Sequence, residues 1–447
     1  MTIPPPTVPD APGGLPVIGH GVRLLRDPVA WLERCRSTAD ILRLRLGRRP
    51  AYLLCRAPMV HEVLVTQSGS FDKTGPFFEQ TRAVIGDSLF TASNALHPRQ
   101  RRLMQPAFTR ARIADAVPVM AAEAEAMRDA WQPGATVDMI GAITGYVHRV
   151  ALRTLLPTLD PAEIGRLADA TGCLLAGLFR RTALPLRAVH RLPLPANRRF
   201  DRALAQLQDA CTRALAAARA SPDPGTILDA LLTAGDDGTH APFSEEELCA
   251  QLLPLLVASA DTTVATLCWL LQELSRAPDF QHRLHEEVDA ALGGRTPAFE
   301  DLARLPFLRA LTAETLRHHP PQWMLTRTSI REVRIGPHHF AADTDFYFSP
   351  HQIQHAPGDY PHPQRFDPDR WSERVPTARD LSYLPFSSGT RKCLGDHFAL
   401  ASIAVAASAV AARWTLVPAS GTDARRVATT VQTPVALHLT VRERPHP

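Results

Sequence analysis

The chain has 447 residues, 45% of them apolar, which is enough to fill one large core or those of two or three small domains. A net charge of +4 is too small to indicate nucleic acid as a partner, and we expect none. The seven cysteines are spread widely along the chain, which argues against a disulfide framework and favours a reducing cytoplasm.

The first 20 residues form a proline-rich opening, and the rest of the chain, residues 21–447, is predicted to be a single domain. The opening lacks the basic start and long apolar run of a signal peptide. No run of about 18 apolar residues occurs elsewhere, so we expect no membrane anchor.

Hydrophobic periodicity divides the domain into strand-rich and helical parts. Residues 41–55 alternate apolar and basic side chains around a Gly-Arg-Arg-Pro turn, which predicts a hairpin in a strand-rich part near residues 40–60. Alanine- and leucine-rich segments with helical spacing extend over about residues 95–410. Strand composition returns near residues 425–442. The sequence predicts a mainly α fold, with a large helical domain and a small β-rich lobe.

Residues 252–274 form a long apolar segment with Asp261, Thr262 and Thr263 in its middle. Burial of an acid and two hydroxyls in such surroundings costs free energy, which suggests that they have a function there. A threonine hydroxyl can also bond to the carbonyl of the preceding turn and bend the helix, which is the alternative for both threonines.

Glu314 and Arg317 are three residues apart, so they share one face of a helix that stops before Pro320. Such a pair is common on exposed helices, where it contributes little to stability. In a buried pair, the loss of one partner would instead leave a costly unpaired charge.

Cys393 lies in a loop of small and basic residues just ahead of an apolar helix. Gly389 and Gly395 permit a close approach of the backbone to a flat ligand, and Phe386 supplies an apolar wall. Arg391, its neighbour Lys392 and the helix N-terminus favour a thiolate over a thiol. The loop therefore predicts a metal-binding thiolate, with a buried structural cysteine as the alternative.

The string PFSSGTRKCLGDHFA matches FxxGxRxCxG at Phe386, Gly389, Arg391, Cys393 and Gly395, and so resembles the haem-binding signature of the cytochrome P-450 superfamily. The resemblance implies the cytochrome P-450 fold, with haem b (iron protoporphyrin IX) as cofactor and Cys393 as the axial ligand of the iron. A thiolate ligand favours O–O cleavage over oxygen carriage.

The same resemblance assigns roles to the two other motifs. Asp261 and Thr262 correspond to the acid-alcohol pair that delivers protons during dioxygen activation. Ser259 stands where the family usually has glycine. Glu314 and Arg317 correspond to a structural pair that is completed by an arginine from a later loop, here predicted to be Arg365.

The two propionates of haem need cationic partners from several segments. The resemblance indicates His97 and Arg101, four apart on a predicted helix, together with Arg327 and Arg391. Five further basic residues are expected either to dock an acidic electron donor or to form an ordinary solvated face: Arg99, Arg102, Arg110, Arg112 and Lys392.

Aromatic residues around the loop that roofs the pocket in this family indicate an apolar substrate. The predicted lining comprises Phe77, Phe78, Phe90, Ala258, Trp323, Met324, Leu325 and Thr433; Phe71 brackets the same loop. The strings FDKTGPFF, HPRQRRLMQPAF and RLPLPANRRF are similar to those of actinobacterial sesquiterpene oxidases.

The resemblance predicts a monooxygenase that inserts one atom of dioxygen into a C–H bond. The predicted substrate is a cyclic sesquiterpene in secondary metabolism. No GxGxxG unit is evident, so electrons are expected from NAD(P)H indirectly, through a ferredoxin and ferredoxin reductase. A macrolactone or fatty acid is the alternative substrate. A peroxide-driven enzyme would lack the acid-alcohol pair, and a haem-binding sensor or carrier would need no proton relay.

Overall fold

The structure is a computed structural model that describes residues 7–16, 19–47, 49–183, 187–235, 241–377 and 379–444. Residues 1–6, 17 and 18 of the proline-rich opening lie outside the described residues.

Helices make up most of the described chain. In chain order they are α1 (Gly21–Arg26), α2 (Pro28–Arg36), α3 (Ala57–His61), α4 (Pro76–Ile85), α5 (His97–Met104), α6 (Arg110–Asp129), α7 (Met139–Leu155), α8 (Pro161–Ala183), α9 (Arg187–Arg191), α10 (Pro195–Ala220), α11 (Ile227–Leu232), α12 (Glu245–Arg276), α13 (Pro278–Leu292), α14 (Pro306–His318), α15 (Pro350–Gln354) and α16 (Asp396–Arg413).

The strands are short and form small sheets. They are β1 (Ile41–Leu44), β2 (Ala51–Leu54), β3 (Phe71–Asp72), β4 (Thr136–Asp138), β5 (Leu325–Ser329), β6 (Val333–Ile335), β7 (His338–Phe340), β8 (Asp345–Phe348), β9 (Trp414–Pro418), β10 (Asp423–Ala428), β11 (Gln432–Ala436) and β12 (His438–Glu443). The main sheet has the order β1-β2-β8-β5-β3, β12 lies between β4 and β9, and β10 pairs with β11 as β6 does with β7.

The predicted hairpin is confirmed, because β1 and β2 pair antiparallel with Ile41 opposite Leu54. Strand β8 then pairs parallel to β2, with Ala51 opposite Asp345, which joins segments far apart in sequence. The expected strand-rich stretches near residues 40–60 and 425–442 therefore omit β5–β8, which fall inside the stretch predicted to be helical. These strands have only three to five residues each, and their burial depends on distant partners.

Helix α12 is the long apolar segment that the sequence indicated. A capping box fixes its start: the Ser244 hydroxyl accepts from the Glu247 N–H at 3.1 Å, and the Glu247 carboxylate accepts from the Ser244 N–H at 2.9 Å. The helix is long and apolar enough to span a membrane, but most of its apolar stretch is buried inside the protein. It packs against α7, α10, α14 and α16 as a central core helix.

The cysteine loop is packed into this helical core. Leu394, next to Cys393, shares a buried apolar cluster with Val257 of α12 and Leu103 of α5. Burial of apolar surface thus holds three sequence-distant segments together around the predicted site.

Candidate active site

The loop that carries Cys393 is closed by its own backbone. The Cys393 N–H donates to the Phe386 carbonyl at 2.9 Å, and α16 begins directly after Gly395. Gly389 has φ +71°, and a Cβ there would lie 2.0 Å from the Leu64 carbonyl oxygen. Gly389 is therefore required by backbone packing. A Cβ at Gly395 would meet only a ring carbon of Phe108 at 3.8 Å, so the protein itself leaves room there.

The Cys393 thiol lies deep in the fold, yet its side chain retains exposed surface. Burial raises the pKa of the thiol, and the Gly395 N–H together with the positive charges of Arg101 and Lys392 opposes that rise. Lys392 and the Gly395 N–H therefore favour the thiolate as predicted, although burial has the larger effect on the pKa. Arg391 forms a buried ion pair with Asp72.

Arg391 joins the cysteine loop to the segment around β3. It donates to the Asp72 carboxylate at 3.1 Å, the Asn94 side-chain oxygen at 2.7 Å and the Ala92 carbonyl at 2.6 Å. The ion pair with Asp72 is buried on both sides. Arg391 therefore fixes the position of the loop in addition to supplying positive charge.

The four predicted propionate partners come together in one buried, electropositive cluster. Burial, together with the charges of Arg391, Lys73, Arg101 and Arg327, lowers the pKa of His97 to about 3.

Lys73 is a member of this cluster that the sequence did not indicate. Its pKa is lowered well below the ordinary value by burial and by repulsion from Arg327 and Arg391. Burial and repulsion from Arg391 likewise lower the pKa of Arg327 to about 10. The carboxylate of Asp72 does not balance so many buried cations, and a dianionic group bound beside them would. The two propionates of haem fit that requirement.

The Glu314–Arg317 pair is completely buried. Arg317 donates to both Glu314 oxygens at 2.8 Å, and to the Pro363 carbonyl at 2.9 Å. The pair therefore ties α14 to the loop that follows α15.

The prediction that Arg365 completes this pair is wrong. Its side chain is 73% exposed and only its backbone carbonyl accepts from Arg317, at 3.1 Å. The arginine near Glu314 is Arg370, with its Nε 3.7 Å from the carboxylate, and the Trp371 indole N–H donates to the same carboxylate at 2.9 Å. The string PQRFDPDRW holds two arginines, and the path of the loop turns the second one inward.

Asp261 and Thr262 lie half-buried in the middle of α12. Burial raises the pKa of Asp261, and its carboxylate accepts a hydrogen bond from the Thr430 hydroxyl at 2.8 Å. The Thr262 hydroxyl donates to the Ala258 carbonyl at 3.1 Å, which is the alternative that the sequence left open. Ser259 makes the same kind of bond to the Leu256 carbonyl, also at 3.1 Å.

The matching family decides how these features are to be interpreted. The family model described as cytochrome P450 matches residues 9–438, and therefore includes the cysteine loop, α12 and the buried Glu314–Arg317 pair. The chain belongs to the cytochrome P450 family.

Curated relatives of this P450 are similar over nearly its whole length. Cyclooctatin synthase of Streptomyces melanosporofaciens is 38% identical over 93% of this chain and 91% of its own. Cyclooctat-9-en-7-ol 5-monooxygenase of the same organism is 36% identical over 94% and 91%. Pentalenene oxygenase of Streptomyces avermitilis is 32% identical over 97% of each chain. The crystal structure of the cytochrome P450DA haem domain has a TM-score of 0.87 at 21% identity, covering 99% of each chain, and confirms the fold.

The P450 is a haem-thiolate monooxygenase. Its cofactor is haem b, and its electrons come ultimately from NAD(P)H through redox partners. The buried cation cluster and the space beside Gly395 fit this cofactor, and Cys393 is the residue of the signature that would ligate the iron.

The predicted pocket residues differ from one another in their surroundings. Phe77, Phe78 and Phe90 form one aromatic cluster, with adjacent ring centroids 5.0 and 5.9 Å apart. Ala258 is exposed although it lies in the middle of the core helix α12, so it faces open space there. Phe71 is instead a buried core residue of β3.

Three of the other pocket candidates lie in the segment that leads into β5. Trp323 donates its indole N–H to the Thr429 carbonyl at 2.9 Å, and Leu325 packs against the core of the main sheet. Met324 between them is half-buried, and Thr433 of β11 lies opposite Val427 of β10. Their contact with substrate stays a prediction.

The predicted electron-donor patch is largely neutralised by acidic groups of the P450 itself. Arg99 pairs with Glu247 at 2.7 Å, and Lys392 pairs with Asp396. Arg112 lies 3.9 Å from Asp229, and Arg110 stacks over the Phe299 ring. Arg102 also has a partner. Most of these basic side chains thus have partners within the chain.

Proposed function

We propose that this P450 hydroxylates a C–H bond of a polycyclic terpene, of sesquiterpene or diterpene size, in secondary metabolism. The observation that carries the proposal is the similarity, over more than nine-tenths of the chain, to relatives named for the oxidation of cyclooctat-9-en-7-ol and pentalenene. The sequence strings alone favoured a sesquiterpene, and these relatives widen the range of ring systems.

The overall reaction would convert a substrate C–H group, O2, two electrons and two protons into an alcohol and water. Bound haem supplies the site at which dioxygen is reduced and cleaved, with the Cys393 thiolate as electron-donating ligand. Lys73, His97, Arg101, Arg327 and Arg391 would hold the propionates, and Phe386 would supply an apolar contact.

Asp261 is the group that we propose to hold and pass protons during this reaction. Because burial raises its pKa, the carboxyl takes up a proton more readily than an exposed aspartic acid. We propose that Thr262, one residue further along α12, places its hydroxyl on the path to dioxygen. Its bond to the Ala258 carbonyl leaves the hydroxyl oxygen free to accept a second hydrogen bond.

The substrate would be held by shape and not by charge. Phe77, Phe78 and Phe90 offer aromatic surface, and Ala258 leaves open space on α12. Apolar contacts of this kind suit a rigid hydrocarbon with at most a hydroxyl group.

The electron donor that we propose is a ferredoxin with its NAD(P)H-dependent reductase, and the enzyme would act in the cytoplasm. The ion pairs of Arg99 and Lys392 lie on the predicted docking face. An acidic donor would compete with Glu247 and Asp396 for these cations, so we expect an electron-transfer rate that falls with salt.

A spectral titration of the haem-loaded enzyme tests the substrate class. Polycyclic sesquiterpenes, polycyclic diterpene alcohols, fatty acids and macrolactones are added in turn, and the low-to-high-spin change is followed. A change with a polycyclic terpene alone supports the proposal. A change with only a fatty acid or macrolactone would overturn the terpene assignment and leave the enzyme class intact.

A further inference from the structure

The hydrogen bond between Thr430 and Asp261 joins two elements that are remote in sequence. Thr430 lies in the turn between β10 and β11, while Asp261 lies in the middle of α12, 169 residues earlier. The Thr430 Oγ lies 2.8 Å from the Asp261 Oδ2. Neither the family signature nor the spacing of the acid-alcohol pair indicates this contact.

Backbone and tryptophan hydrogen bonds hold the turn in place. The Thr429 N–H donates to the Val431 carbonyl at 3.0 Å, and the Trp323 indole N–H donates to the Thr429 carbonyl at 2.9 Å. The backbone carbonyl of Gln432, the residue after Val431, accepts from the Trp269 indole N–H at 3.0 Å. Trp269 stands eight residues after Asp261 on α12, so the helix that carries the acid also fixes the turn that bonds it.

Asp261 has no charged partner among the described residues. Burial and the Thr430 hydroxyl are the influences that act on its carboxyl group there. The neighbouring Thr262 hydroxyl is directed to the Ala258 carbonyl. A half-buried carboxylate in this position depends on one hydroxyl for both its orientation and its hydrogen-bond partner.

We propose that Thr430 is a positioning residue for proton delivery, because its hydroxyl holds the Asp261 carboxyl in one orientation within the middle of α12. This inference rests on the proton-transfer role proposed above for Asp261. The β10–β11 hairpin also carries Thr433, a predicted pocket residue, so the same element would join the pocket wall to the proton path.

The test uses substitutions that separate the hydroxyl from the shape of the side chain. Thr430→Val keeps the volume and removes the hydroxyl, whereas Thr430→Ser keeps the hydroxyl. Thr429→Val is the matched control, because its hydroxyl only approaches the Val431 carbonyl of the same turn, at 3.4 Å. Asp261→Asn is the reference for loss of the acid.

The first readout is coupling, the fraction of NAD(P)H electrons recovered in hydroxylated product and not as hydrogen peroxide or excess water. Thr430→Val is expected to lower coupling roughly tenfold and to raise the solvent isotope effect, because an unpositioned acid transfers protons slowly. Thr430→Ser is expected to restore most of the coupling. Thr429→Val is expected to stay within about twofold of the wild type.

The second readout needs no turnover. The infrared difference spectrum between wild type and Asp261→Asn reports the protonation of the Asp261 carboxyl group. Thr430→Val removes a bond that favours the charged form, so the midpoint of this titration is expected to move to higher pH, with Thr430→Ser near the wild type.

The results test separately the role of Thr430, the proton role of Asp261 and terpene hydroxylation. Unchanged coupling and an unmoved midpoint in Thr430→Val would overturn the inference, as would a lower melting temperature with an unmoved midpoint, which is a structural effect only. If Asp261→Asn couples normally, the proton role of Asp261 fails while terpene hydroxylation stands. If no terpene is oxidised by the wild type, the proposed function fails, and the infrared midpoint still decides the role of Thr430.

Discussion

Gly389 and Gly395 belong to one signature but are constrained by different contacts. Gly389 has a positive φ, and a side chain there would collide with the Leu64 carbonyl. Gly395 has φ −95°, and among the described residues a Cβ there would meet a ring carbon of Phe108 at an ordinary contact distance of 3.8 Å. The first glycine is therefore needed for folding. We attribute the second to the close approach of haem.

Substitution of each glycine by alanine separates these requirements. We expect Gly389→Ala to lower the free energy of unfolding by more than about 2 kcal/mol, since it adds a clash to an unfavourable φ. Gly395→Ala is expected to change it by less than about 1 kcal/mol in the haem-free protein, and to reduce the haem bound per chain. Denaturant unfolding and haem content are measured on both variants. If the two substitutions had the same effect on the free energy of unfolding and the same effect on haem content, this assignment would be contradicted.

Arg365 and Arg370 offer a second comparison at the residue scale. Arg370→Ala removes a mostly buried cation beside Glu314, and we expect a loss of about 1–3 kcal/mol in the free energy of unfolding. Arg365→Ala removes an exposed side chain and is expected to change it by less than about 0.5 kcal/mol. A larger loss from the exposed arginine, measured by urea unfolding, would restore the original prediction.

The contact between Glu314 and Arg317 was predictable because the two residues are close in sequence. Glu314 and Arg317 face each other because three-residue spacing on a helix requires it. The choice between Arg365 and Arg370 depends on the path of a loop, which spacing does not encode. The sequence does not indicate Lys73 or Thr430 as site residues, because their partners lie in distant segments and a single lysine or threonine forms no motif.

At the scale of elements, a cluster of buried histidines joins α14, α15 and the N-terminal helix α2. The rings of His351 and His355 are 4.0 Å apart, and those of His318 and His355 are 5.1 Å apart. The charged groups that face the cluster are Glu33, Glu273, Arg36, Arg317 and Arg426.

These histidines remain neutral because charging them inside the fold is costly. Burial, aided by nearby cations, lowers the pKa of His318 to about 3 and that of His351 to about 4. It also holds the pKa values of His319 and His355 well below the ordinary range.

The histidine cluster predicts a loss of stability in mild acid. Below about pH 6.5 the unfolded chain binds protons that the folded cluster rejects, so stability is full above that pH and falls toward pH 4. A histidine that stays neutral contributes a loss of up to about 2 kcal/mol at pH 5. The free energy of urea unfolding is measured at pH 7.5 and pH 5, with the exposed His282→Gln variant as control. Equal values at the two pH values would contradict the prediction.

The elements were predictable where the local sequence carries a clear pattern. The 32 residues of α12 carry a clear apolar pattern and a capping box, and β1–β2 alternates regularly around its turn. Strands β5 and β8 were not predicted because their places in the main sheet are set by β3 and β2, which are distant in sequence. Periodicity describes a segment and its faces, and it does not identify partners.

At the scale of the whole molecule, the fold tolerates very different sequences. The cytochrome P450DA haem domain shares 21% identity with this chain and has a TM-score of 0.87. A match at this identity shows the fold alone and leaves the substrate open. For that reason similarity to terpene-oxidising relatives supports a substrate class, and the identity of the compound has to be measured.

The most direct measurement is turnover under 18O2 with the haem-loaded enzyme, a ferredoxin, its reductase and a polycyclic terpene that shifts the spin state. We expect one hydroxylated product that carries a single 18O atom, at a rate dependent on NAD(P)H. Unlabelled product, or no product from any terpene alongside labelled product from a fatty acid or macrolactone, would contradict the proposal that this P450 is a terpene monooxygenase.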